Sequence, residues 1–108
     1  MVHAKIQTAL PIVETFERTV TRYLTGLADE DDTLRALREM SGQLDRLLDE
    51  GRARELLRAI EKHTSMVFEP PESAKTAAFP LPYISFVRIQ LAKHVWALKE
   101  HLRESATA

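Results

Sequence analysis

The sequence predicts an all-α fold, a small four-helix bundle, and three observations carry that prediction. Apolar residues recur at three- and four-residue spacing in four separate stretches, the mark of amphipathic helices. Three glycines interrupt 108 residues, and alanine and leucine are abundant while runs of β-branched residues are scarce. Four of the five prolines fall within residues 69–82, which sets the last stretch apart from the others. A chain of this length buries roughly two thirds of the surface that its unfolded form exposes, so one core over residues 1–108 suffices without metal or disulfide staples.

The first helix, expected over about 8–26, is drawn by Ile6, Leu10, Val13, Phe16, Val20, Leu24 and Leu27. Pro11 sits inside that stripe, where it cannot donate to the carbonyl of Gln7, so the helix starts near Thr8 or kinks there. Gly26 is its stop. The run Asp29-Glu-Asp-Asp32 then places carboxylates before Thr33 and Leu34, where unpaired amides and the positive dipole end favour them. A second helix follows over about 32–49, with Gly42 inside it at a cost of about 1 kcal/mol.

Helical geometry decides whether that helix continues. Leu34, Leu37, Met40, Leu44, Leu47 and Leu48 project near roughly 90°, whereas Leu56, Ile60, Thr64 and Val67 cluster near roughly 240° on the same wheel. One straight helix would aim its halves at different partners, so a break at Asp49-Glu-Gly-Arg52 and a helical hairpin with Gly51 in the turn are expected. The third helix then covers about 53–68. Residues 69–82 form a long Pro-rich loop, with room for a crossover, in which Phe79 and Leu81 can close over the bundle or line a contact surface. The last helix runs over about 82–104 from Pro82, with Ile84, Val87, Leu91, Val95, Leu98 and Leu102 as its main stripe and a frayed tail beyond.

That helix carries more apolar surface than one stripe needs. Phe86, Ile89 and Trp96 project between about 240° and 320°, away from the main stripe near roughly 100°, at the spacing of a seam. They meet another helix of the same bundle or the Pro-rich loop with Phe79 and Leu81, or they form a candidate homodimer interface with Trp96 as its anchor and Lys93 and Glu100 at its rim.

Composition narrows the chemistry. A net charge of −1 lacks the electrostatic footprint of a nucleic-acid binder, although residues 1–51 carry six basic and ten acidic groups and residues 52–108 carry nine and six. The absence of cysteine excludes thiol nucleophiles, Cys-ligated metals and disulfides, and fits the reducing cytoplasm. No apolar run approaches the roughly 20 residues of a bilayer span, and the polar start is unlike a signal peptide. His94 and His101 lie seven apart without a ligand bridging them, and Glu-x-x-His is absent, so neither a metal nor another cofactor is expected.

Two spacings resemble a catalytic motif. Arg58-Ala-Ile-Glu-Lys-His63 and Arg88-Ile-Gln-Leu-Ala-Lys-His94 are similar to the Arg-x(4–6)-His motif of the HEPN family of small dimeric helical bundles. The resemblance implies RNA cleavage, with Arg88 holding phosphate and His94 doing acid–base work. The stretch from Leu34 to Leu56 is in turn similar to the first long helix of the all-helical chorismate mutases, which implies arginines that clamp a dicarboxylate. The residues themselves point to a cytoplasmic protein–protein interaction module that associates with another protein or with itself and lacks catalytic activity. A HEPN-like ribonuclease using Arg88 and His94 is the alternative.

Overall fold

The computed structural model describes residues 2–49, 51–69 and 80–107, and these form four helices: α1 (Val2–Leu24), α2 (Glu30–Leu47), α3 (Gly51–Phe68) and α4 (Pro80–Thr107). No strand occurs among the described residues. The all-α expectation holds, and so does the hairpin between α2 and α3. The Pro-rich segment 70–79, with Phe79, lies outside the described residues, while Leu81 belongs to the first turn of α4.

Each stripe read from the sequence reaches the core. Val13, Phe16 and Val20 of α1 meet Leu37 and Leu44 of α2, Leu56, Leu57 and Ile60 of α3, and Leu91, Val95, Leu98 and Leu102 of α4, all buried. The helices pack in a ring, α1 on α2, α2 on α3, α3 on α4 and α4 back on α1. Tyr23 and Phe68 reach across one diagonal, their ring centroids 4.6 Å apart. Neighbours run antiparallel: Lys5 near the start of α1 pairs with Asp49 just past α2 (3.4 Å), and Glu17 of α1 pairs with Lys99 near the end of α4 (2.8 Å). The order is therefore up-down-up-down, and the last helix returns beside α3 without a crossover.

Local chemistry sets the helix ends. Gly26, at φ +79°, closes α1 in a left-handed turn, with the Leu27 amide donating to the Arg22 carbonyl (2.8 Å) and the Gly26 amide to that of Tyr23 (3.0 Å). Leu27 is consequently carried past the helix and stands 70% exposed rather than ending the core stripe. Asp29 caps α2, its Oδ2 accepting from the amide of Asp32 (3.1 Å), and Glu30, Asp31 and Asp32 occupy the first turn. Gly51 lies at φ +72°, the left-handed conformation that lets α3 leave in a new direction.

All helix limits but the end of α3 lie two to six residues from the expectation, and three of them are instructive. α1 begins at Val2 and continues through Pro11, whose ring is on the exposed side, where water can take the place of the missing donor. α4 begins at Pro80, so that Pro80 and Pro82 both sit in a first turn that has no use for their amides. It also extends to Thr107, where a frayed tail was expected. No helix among the described residues is long and apolar enough to cross a membrane.

Candidate functional site

The outer face of α4 is the largest departure from ordinary helix patterning. At 100° per residue, Val87, Leu91, Val95, Leu98 and Leu102 share one side, and all are buried. Phe86, Ile89 and Trp96 share the opposite side, and they stand 59%, 64% and 56% exposed. Side chains of this size present about 150–250 Å² each, so the three leave roughly 350 Å² of mostly apolar surface in water. A patch of that size lies within the range of the largest apolar patch on a monomer, and such patches are often functional.

Lys93, also exposed, lies between Ile89 and Trp96 on the same face. Arg103 continues the line, with Nη1 3.3 Å from Glu100 Oε1 and Nη2 3.6 Å from Glu14 Oε2. Beside Trp96 a groove of about 280 Å³ runs between α1 and α4, lined by Glu17, Val20, Thr21, Ala92, Val95 and Trp96. The patch thus has an apolar centre, a charged end and a recess along one flank.

The second cluster lies between α3 and α4. His63 and His94 stack with ring centroids 4.8 Å apart and planes 19° from parallel. In each ring Nδ1 is 2.7 Å from the carbonyl one turn earlier, Ala59 for His63 and Gln90 for His94. A carbonyl can only accept, so in each ring Nδ1 carries the hydrogen and donates it.

The arginines of the two motifs face elsewhere. Residues five or six apart on one helix project about 120–140° from each other. The Arg88 guanidinium lies over the Tyr23 ring of α1, 5.9 Å from its centroid, and its Nε is buried without a hydrogen-bond partner. Arg58 Nη1 lies 3.5 Å from Glu61 Oε2 and 3.8 Å from Asp45 Oδ1. The fold brings together the two histidines, one from each motif, and parts each from its arginine. Their meeting has a weak signal in sequence: each immediately precedes a core position, Thr64 or Val95, and so sits at the edge of its buried stripe.

Two polar features lie apart from these clusters. Burial, and then the facing Asp45 carboxylate, push the Glu61 carboxyl above its ordinary value, with Arg58 opposing. One oxygen of each acid, Asp45 Oδ1 and Glu61 Oε1, is shielded from solvent without a hydrogen-bond partner. At the far end of the bundle a cavity of about 330 Å³ has Ile6, Leu48 and Leu102 among its apolar walls and Lys5, Arg52 and His101 at its polar edge. Asp49 at that edge is held below the usual carboxylate range by its own backbone amide and by Lys5.

Among the described residues no three histidine or acidic side chains converge as metal ligands would. The turn at Gly51 divides the stretch from Leu34 to Leu56 between two helices, so the single long helix of the chorismate mutase comparison is not present. No protein-family model, curated protein or solved structure matches the chain, and the candidate sites rest on its own geometry.

Proposed function

We propose that this protein works by association, binding another protein surface, its own included, through the outer face of α4, and that it does so without catalysing a reaction. The single observation behind this reading is the exposure of Phe86, Ile89 and Trp96 on a helix whose other side is fully buried. Aromatic anchors in an apolar centre with charges at the rim are the composition of protein interfaces. A cysteine-free module of this kind suits the cytoplasm.

Light scattering at micromolar concentration tests the self-associating form, with about twice the chain mass expected. Because Trp96 is more than half exposed, Trp96→Ala should yield a folded monomer with a melting curve close to that of the parent. A parent chain that stays monomeric at hundreds of micromolar removes the self-associating form, and a Trp96→Ala chain that unfolds removes the reading of this face as an association surface.

The stacked histidines support a second one, a HEPN-like ribonuclease. Two imidazoles whose ring centroids lie 4.8 Å apart are the side chains most used in acid–base catalysis. Incubation with mixed RNA decides it: cleavage lost in His94→Ala and His63→Ala establishes an enzyme, with Arg88→Ala reporting whether that arginine serves it. No cleavage over a range of pH and metal conditions removes it.

A further inference from the structure

The sequence of the α4 face restricts what can lie on it. Resting on the reading of that face as an association surface, we infer that its occupant is α4 of a second copy, running antiparallel, with the two-fold axis at the level of Leu91. Along the seam, Phe86, Ile89, Lys93, Trp96, Glu100 and Arg103 follow one another at three- and four-residue steps and alternate between its two sides.

Parallel pairing sets every residue against its counterpart. Lys93 then meets Lys93, Glu100 meets Glu100 and Arg103 meets Arg103, three like-charge layers among six. Antiparallel pairing removes all three, and the position of the axis becomes the remaining choice. An axis between residues 94 and 95 sets Phe86 against Arg103, Lys93 against Trp96 and Ile89 against Glu100, which desolvates a carboxylate beside an apolar side chain twice over.

An axis at Leu91 sets Phe86 against Trp96 and Ile89 against Lys93, each twice by symmetry. The two aromatics of a layer come from opposite sides of the seam, which allows an offset arrangement. Lys93 lays its methylene stem along Ile89 and carries its ammonium to the rim. Glu100 and Arg103 fall beyond the apolar overlap and keep the contact they already make with each other, 3.3 Å.

The extent of overlap agrees. α4 has 28 residues and its midpoint lies between 93 and 94, so an axis at Leu91 places the two bundles side by side along most of the helix. A stable interface covers about 800 Å² per partner. The exposed apolar patch provides the centre of that area, and the flanking polar residues of α4 with the groove beside Trp96 provide its margin. A two-fold contact engages both copies of every anchor, so assembly stops at two.

The chain contains no cysteine, so Ile89→Cys and Lys93→Cys each introduce a single thiol. The two variants are first shown to dimerise by light scattering, then mixed in equal amounts, mildly oxidised and separated by mass. The mixed 89–93 disulfide should exceed each like-with-like disulfide by far more than the two-fold that random pairing gives. A dimer that yields chiefly 89–89 and 93–93 bridges overturns the register and leaves association intact. A dimer with no bridge of either kind shows that its interface lies elsewhere than on α4. A parent chain that remains monomeric at hundreds of micromolar overturns this inference and leaves only association with a different protein.

Discussion

Adding one methyl group at Gly51 and one at Gly42 should change stability in opposite directions. At Gly51 the backbone stands at φ +72°, and a Cβ built there meets nothing within 4 Å. The cost of Gly51→Ala is therefore conformational, about 1–2 kcal/mol for an L-residue in the left-handed region, and the stiffer unfolded chain offsets about half of it. Gly42 lies inside α2, where a Cβ also meets nothing within 4 Å. With no contact to lose, Gly42→Ala gains the helix-propensity difference of about 1 kcal/mol. Two substitutions of identical chemistry thus diverge by about 2 kcal/mol. In a domain of this size 1 kcal/mol moves the melting temperature by about 4–8 °C, so far-UV circular dichroism melts resolve both shifts. Gly51→Asn should fall between glycine and alanine because asparagine tolerates the left-handed region. A Gly51→Ala protein as stable as the parent would refute the left-handed turn, and with it the hairpin between α2 and α3.

Other substitutions probe the cap, the core and the acid pair. Asp29→Ala removes the acceptor for the Asp32 amide and should cost about 1 kcal/mol in urea denaturation, with Asp29→Ser recovering most of it. Leu37→Ala opens a cavity at a fully buried site and should cost about 2–5 kcal/mol, whereas Leu27→Ala, on a largely exposed side chain, should stay within about 0.5 kcal/mol of the parent. The raised Glu61 carboxyl means that the folded state holds this proton more tightly than the unfolded one. The associated stability is present below the ordinary value of 4.5 and is lost as pH rises through the raised folded value. Glu61→Gln should therefore gain on the parent as pH climbs from 4 to 7, and a constant gap between their melting temperatures over that range contradicts the assignment.

The sequence was legible where local physics decides the outcome. Asp29 and Gly26 mark helix ends through hydrogen bonds that span a few residues. The change in stripe direction across Gly51 followed from a fixed rotation per residue. Of the two outcomes Pro11 allowed, a start near Thr8 is the one not found, because its penalty depends on which side of the helix its ring lies, and that is set by the packing of the other helices on α1. The last turn of α4 gave no sign of its order, since Thr107 follows a polar run with no stripe of its own. At the candidate sites the placement of Phe86, Ile89 and Trp96 on a second side of α4 could be read from angles alone, but their exposure could not, because it depends on where the other helices pack. The meeting of His63 with His94 could not, because it depends on the rotation of one helix against another. The divergence of Arg88 from His94 was within reach of the same angles, for six residues on one helix never face one way.

The ring of four antiparallel helices also bears on how the chain reaches its fold. Three of its four interfaces join helices that follow one another in sequence, and α1 with α4 alone must close across the whole chain. Short-range contacts of that kind give low contact order, and helical proteins built this way fold on microsecond to millisecond timescales. The slow entropic step is then confined to one docking event, the seating of Leu91, Val95 and Leu98 of α4 against Val13, Phe16 and Val20 of α1. Contacts between α2 and α3 are made before that step, so changes there should slow folding and leave the rate of unfolding nearly unchanged.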